Sequence, residues 1–161
     1  LVRAMPNTPA LVGAGVTGLY ADPSVDALGR EEAERIMAAV GEVLWVEEEG
    51  KIDAITALSG SGPAYVFAFL EALQAAGEAL GFDAATARRL AQATAAGAVR
   101  LAQESEEPLS RLRENVTSKG GTTEAALARL TERGFAETVR EAVFAAHARS
   151  QELARQLGEA P

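Results

Sequence analysis

Cysteine is absent, which excludes a disulfide framework, a thiolate nucleophile and any sulfur-ligated metal centre. Histidine occurs once, at His147, too few for a multi-histidine metal site or for a triad that chooses its base among several imidazoles. Lysine is nearly as scarce: of 15 basic residues only Lys51 and Lys119 are lysines, and the rest are arginines. No apolar run approaches the roughly 18 residues of a membrane span, and mean hydropathy is +0.02. The basic residues are outnumbered by 23 acidic ones, for a formal charge of −8, so a nucleic-acid backbone would meet a repulsive field. Neither nucleic acid nor membrane is an expected partner. The chain opens Leu1-Val2-Arg3, without a basic segment followed by an apolar one, and a cytoplasmic location is expected.

What is present is a 161-residue chain, 48% hydrophobic, long enough for one domain or for one domain plus a remnant of another. Leu1 to Met5 is a short apolar stretch stopped by the double-proline turn Pro6-Asn7-Thr8-Pro9. Gly13 to Tyr20 reads as a strand, Arg30 to Val40 as a helix and Val43 to Val46 as a strand before the acidic turn Glu47-Glu48-Glu49-Gly50. From Lys51 onward only helices are expected. One follows the break at residues 59–63, with Ser61 as cap and Pro63 in the first turn, and buries Val66, Phe69, Leu70, Leu73 and Leu80. The next, over 84–103, is lined by Ala87, Ala91, Ala95, Gly97 and Ala98, small enough to admit a second helix closely. A short helix ends at Asn115, another stops near Gly134, and the last starts near Glu137 with a three-four seam of Val139, Val143, Ala146, Ser150, Leu153 and Leu157. The fold class expected is mostly α: a helical bundle over 55–161, preceded by a short α/β remnant over 1–54.

Three segments could carry chemistry. Residues 13–18, Gly-Ala-Gly-Val-Thr-Gly, match a dinucleotide fingerprint formally, but strand and turn follow where a helix should open, so a glycine-rich strand is expected instead. Asn115 to Thr123 puts two adjacent glycines among three threonines and a serine, immediately before a helix N-terminus. Such a loop suits a small carboxylate or phosphate, and equally a tight turn with Thr122 or Thr123 as helix cap; both readings stand. Ser59-Gly60-Ser61-Gly62-Pro63 has the same two readings, of which the cap is the simpler. His147, one turn beyond Val143 and Phe144, reads as a structural, partly buried histidine. No carboxylate pair and no metal-ligand spacing stands out.

The run Pro108 to Leu127, containing Asn115-Val116-Thr117-Ser118-Lys119-Gly120-Gly121-Thr122-Thr123, closely resembles the signature of Δ1-pyrroline-5-carboxylate reductases. Met5-Pro6-Asn7-Thr8-Pro9, Leu58 to Tyr65 and Gly134-Phe135 fall in the family's order and spacing, so the resemblance covers essentially the whole chain. It implies that residues 1–54 are the last strands and helix of a Rossmann-type cofactor domain whose first part, with the phosphate-binding loop, is absent, and that 55–161 form the dimerisation and substrate-binding domain. It implies reduction of the cyclic imine to L-proline, the last step of proline biosynthesis, by NADPH or NADH, in a homodimer or a decamer built as a pentamer of dimers. Each active site would join the loop of one subunit to the cofactor domain of the other.

Carried residue by residue, the resemblance places the substrate carboxylate on the backbone N–H groups of Gly120 and Gly121 with the Ser118 hydroxyl assisting, and counts Thr122 among the substrate contacts. Thr123 would hydrogen-bond the ring nitrogen and help protonate it. Val116 would line the floor of the ring. Met5, Pro6, Asn7 and Thr8 would border the nicotinamide, with Ser61, Gly62 and Pro63 shaping the pocket. Lys119 stands where many relatives carry proline and receives no catalytic role. No metal is implied, and the chain alone is expected to be inactive. Two other readings compete: the helical domain of another two-domain NAD(P)-dependent dehydrogenase, whose lysine after the linker is missing from residues 63–80, and a dimerisation module without ligand.

Overall fold

Three strands and seven α-helices account for most of residues 1–158, the part that the computed structural model describes. Strand β1 (Val2–Met5) runs antiparallel to β2 (Gly15–Ala21), which is parallel to β3 (Gly41–Val46), in the order β1-β2-β3. One face of the central strand is buried through Thr17, Leu19 and Ala21, while Val16 and Tyr20 on the other face are half-buried. Its glycines are there for packing. A Cβ at Gly18 would stand 2.4 Å from Ile55 Cδ1 and one at Gly15 would stand 2.9 Å from Ala10, so the strand expected from Gly13 starts at Gly15 and is closely covered from there, while Gly13, at φ +71°, and Ala14 form an exposed turn before it.

Helix α1 (Ala27–Ala38) starts three residues before the expected Arg30 because Asp26 caps it, its carboxylate accepting the Gly29 N–H at 2.9 Å. Trp45 on β3 donates from Nε1 to Glu34 on that helix at 2.8 Å, and the Arg30 guanidinium lies 5.3 Å from the centre of the Trp45 ring.

After α2 (Lys51–Ile55) the chain does not break at residues 59–63. It widens into a π turn over Thr56–Gly60 and continues as α3 (Gly62–Ala79). Ser61 therefore does not cap α3, contrary to expectation: its backbone is helical (φ −83°, ψ −20°), whereas a cap needs extended backbone, and its N–H donates to the Thr56 carbonyl at 2.8 Å.

The chain forms two compact units, Leu1–Tyr65 with the segment from Arg140 onward, and Val66–Val139. In the first, Leu19 and Ile52 are fully buried beside Ala21 and Ala57. The C-terminal part of α7 (Phe135–Gly158) belongs to it, and Ser150 Oγ donates to the buried Asp53 carboxylate at 2.7 Å. His147 is half-buried and lines, with Ala54, Leu58, Val143 and Phe144, a cavity of about 260 Å³, a packing position in line with the structural reading.

The second unit contains α4 (Ala84–Gln103), α5 (Leu109–Asn115) and α6 (Thr122–Glu132). Gly81 turns the chain at φ +100°, and Asp83 caps α4 by accepting the Thr86 N–H at 2.9 Å and its hydroxyl at 2.8 Å. Those two bonds, the backbone one first, hold the Asp83 carboxyl below its ordinary value. The small-residue face of α4 does admit a close neighbour, since a Cβ on Gly77 would stand 3.0 Å from that of Ala87. Yet of this unit's apolar side chains only Ala87 and Ala91 are buried. The expected burial of α3 fails: Val66 is 53%, Phe69 44%, Leu73 37% and Leu80 82% exposed. Leu90 and Leu101, the larger apolar residues of α4, are about half exposed as well. One copy of these helices has too little apolar surface to cover its own stripes. On the seam of α7, Val143, Ala146 and Ser150 are half-buried, Val139 and Leu153 are exposed, and the Leu157 side chain lies outside the described part.

Candidate functional site

The residues singled out from the sequence fall into two clusters, one in each unit. In the first unit the turn after β1 meets the wide turn after α2. Asn7 Nδ2 donates to the Ser59 carbonyl and to Ser59 Oγ, both at 3.2 Å, while its Oδ1 accepts the Val16 N–H at 2.9 Å. The Met5 methyl lies against Gly60, 2.6 Å from where a Cβ would stand, so the two segments touch there. Ser61, Gly62 and Pro63 are half-buried beside it, Tyr65 donates its hydroxyl to the Ala57 carbonyl at 3.0 Å, and Pro6 and Thr8 are exposed. The structure thus brings Met5 and Asn7 together with residues 59–60, a connection invisible in the linear spacing.

In the second unit Val116 to Gly121 link α5 to α6. Thr117 closes α5, its N–H donating to the Glu114 carbonyl at 2.9 Å and its hydroxyl to that of Arg113 at 2.6 Å. Ser118 to Gly121 make a turn, with the Gly121 N–H on the Ser118 carbonyl at 3.0 Å and Gly120 at φ +72°, a backbone that glycine adopts without strain. Gly121, extended at φ −88° and ψ 174°, precedes the helix, so neither Thr122 nor Thr123 is its cap: both already lie within α6. Val116, Ser118, Lys119, Gly120 and Thr122 are exposed, and Thr123 is half-buried.

The donors of this loop are not distributed as the sequence suggested. Gly121 spends its N–H on the turn, and Gly120 donates to the Glu124 carboxylate at 2.6 Å. Among the described residues, the N–H groups of Thr122, Thr123 and Glu124 have no partner, and they stand at the positive end of α6. Glu124 was missed by sequence reasoning. Its signal was available, a glutamate in the third position of a helix, where a capping side chain reaches back to a preceding N–H. The loop thus presents free amide donors at a helix terminus, with one of its glycine N–H groups held by an internal carboxylate. No group of three or more metal-ligating side chains occurs among the described residues.

Comparisons with known proteins give the chain's family. A pyrroline-5-carboxylate reductase from Pseudomonas aeruginosa is 50% identical over 159 residues, covering 99% of this chain and 58% of that protein. One from Haemophilus influenzae is 47% identical, with 95% and 57% covered. Among solved structures, a pyrroline-5-carboxylate reductase from Coxiella burnetii is similar with a TM-score of 0.90 and 51% identity, over 94% of this chain and 56% of that one. The Plasmodium falciparum pyrroline carboxylate reductase with NADP bound gives 0.89 and 34%, over 94% and 62%. The chain therefore spans somewhat more than half the length of its relatives. The family described as pyrroline-5-carboxylate reductase dimerisation matches residues 49–153, and the chain belongs to that family.

Proposed function

We propose that this chain is the C-terminal part of a reductase that converts pyrroline-5-carboxylate to L-proline, with residues 1–54 closing the cofactor domain and 55–161 supplying the dimer contact and the substrate loop. The observation that carries the reading is the row of unpartnered N–H groups on Thr122, Thr123 and Glu124, exposed beside a half-buried threonine hydroxyl. A carboxylate settles there without needing a lysine or arginine, because amide donors and the helix terminus both favour negative charge. Ser118 adds a hydroxyl, and Gly120 frees its N–H when the Glu124 carboxylate is displaced.

With the carboxylate held, the five-membered ring lies against Val116 and its imine nitrogen faces the Thr123 hydroxyl. When bound, NADPH or NADH would supply the hydride for the imine carbon, with the nitrogen gaining a proton. Thr123 orients that nitrogen and holds a proton at Oγ1 within reach as the carbon–nitrogen double bond becomes single. Of the cofactor's contacts, this chain offers only those of the nicotinamide end: Met5, Pro6 and Thr8 on either side of Asn7, with Ser61 to Pro63. Of the glycine run at 13–18, residues from Gly15 onward are covered strand and no helix follows, so the run offers no phosphate cradle.

The exposed apolar faces of α3 and α4 support a homodimer, with a pentamer of dimers as the larger assembly, and a site made of the loop from one copy and the cofactor part of the other. In the longer polypeptide that carries these residues, Thr123→Ala should lower kcat/KM for pyrroline-5-carboxylate about 100-fold or more, with cofactor affinity unchanged. An unaltered rate would favour a dimerisation module that holds no ligand.

A further inference from the structure

We propose that Asn7 is a positioning residue, a brace that locks the wide turn at Thr56–Gly60 to the sheet, rather than a ligand of the cofactor. Its consequence for binding rests on the reductase reading; the brace itself does not.

Two vacancies in the backbone pattern meet at this side chain. Strand β1 leaves the sheet after the pair Met5↔Gly18, and continuing that register places Asn7 opposite Val16. The chain has by then turned toward the short 3-10 helix Thr8–Val12, so the Val16 N–H faces the Asn7 side chain, whose Oδ1 supplies the missing rung at 2.9 Å. In a helix the Ser59 carbonyl would accept from residue 63, but that residue is Pro63, which has no N–H. Asn7 Nδ2 supplies the replacement donor at 3.2 Å and gives its second hydrogen to Ser59 Oγ at 3.2 Å. Because the Val16 N–H only donates, the orientation of the carboxamide is fixed, and both its hydrogens are committed within the protein. The Met5 methyl against Gly60 makes the same junction apolar on one side. The two segments assigned to the nicotinamide end are thereby joined before any cofactor arrives, which lowers the ordering cost of binding.

The test uses the longer polypeptide without cofactor, followed by hydrogen–deuterium exchange and by equilibrium titration with NADPH. Asn7→Ala should speed exchange in peptides over 14–19 and over 56–64, and weaken NADPH binding about tenfold, as expected for losing one or two such bonds. Asn7→Asp keeps the acceptor for Val16 and loses both donors, so it should speed exchange over 56–64 alone, with the same loss of affinity; it also serves if the alanine variant does not fold. Weakened binding with unchanged exchange would overturn the proposal in favour of direct contact with the cofactor. Faster exchange with unchanged affinity would reduce Asn7 to a structural residue, and no change in either would remove its role. Failure of the reductase reading would show separately, as absence of proline formation by the unsubstituted protein.

Discussion

The two compact units differ in how much of a folded protein one chain can complete. The strand-bearing unit buries Leu19 and Ile52 fully, together with a threonine on its central strand and a carboxylate that finds a hydroxyl, while the helical unit buries only two alanines. Both are built from similar fractions of apolar residues arranged with proper periodicity. What separates them is the partner face. A sheet strand has neighbours on either side and a helix over it within the same chain, whereas α3 and α4 present stripes of valine, leucine and phenylalanine to solvent. An amphipathic pattern therefore specifies that a face will be covered without specifying by which molecule. The family description, dimerisation, supplies the missing half of that statement.

This contrast can be sharpened by substitutions whose effects should stay inside one unit. The largest is expected at Gly41, which holds φ +152° and where a Cβ would stand 2.0 Å from the Gly15 carbonyl oxygen. Backbone cannot yield there as a side chain can, so Gly41→Ala should cost about 3 kcal/mol, read as a lower urea midpoint that does not depend on protein concentration. Ser150→Ala comes next: it leaves the Asp53 carboxylate, 8% exposed, without its donor, and about 2 kcal/mol should be lost by the same measurement. A marked concentration dependence of either loss would blur the division between a self-sufficient unit and a dependent one.

The smallest effect belongs to α4. The Asp83 carboxyl is held below its ordinary value by the Thr86 N–H and then by the Thr86 hydroxyl, so its stabilising contribution exists above that ordinary value and is lost as pH falls through the folded one. Acid denaturation followed from about pH 6 to about pH 2 should show a small loss that Asp83→Asn, an uncharged cap, does not share.

Much of the fold was legible in the linear sequence because its signals are local: the double proline after β1, Asp83 before α4, Gly81 and Gly134 at positive φ, and the alternation of β2. What was not legible depended on distant pairings. Periodicity marks Ser150 as a small residue on a seam and gives no hint that it caps a carboxylate 97 residues away. Pro63 signals a break, and only the structure shows a π turn absorbing one extra residue instead, with Asn7 repairing the lost hydrogen bond. In the loop between α5 and α6 the residue types marked a glycine turn before a helix, while the free amide groups lie one or two positions further along the chain, because Ser118 and Glu124 take the glycine N–H groups.

A site shared between two copies has a direct test. Mix the 161-residue chain, which has an intact loop, with a longer polypeptide that carries the N-terminal cofactor domain and Thr123→Ala, verify the mixed dimer by sedimentation, and measure NADPH-dependent proline formation. If the loop of one copy serves the cofactor part of the other, the 161-residue chain alone is inactive, the substituted polypeptide alone turns over only slowly, and the mixture regains turnover well above either. A verified mixed dimer without turnover would contradict it.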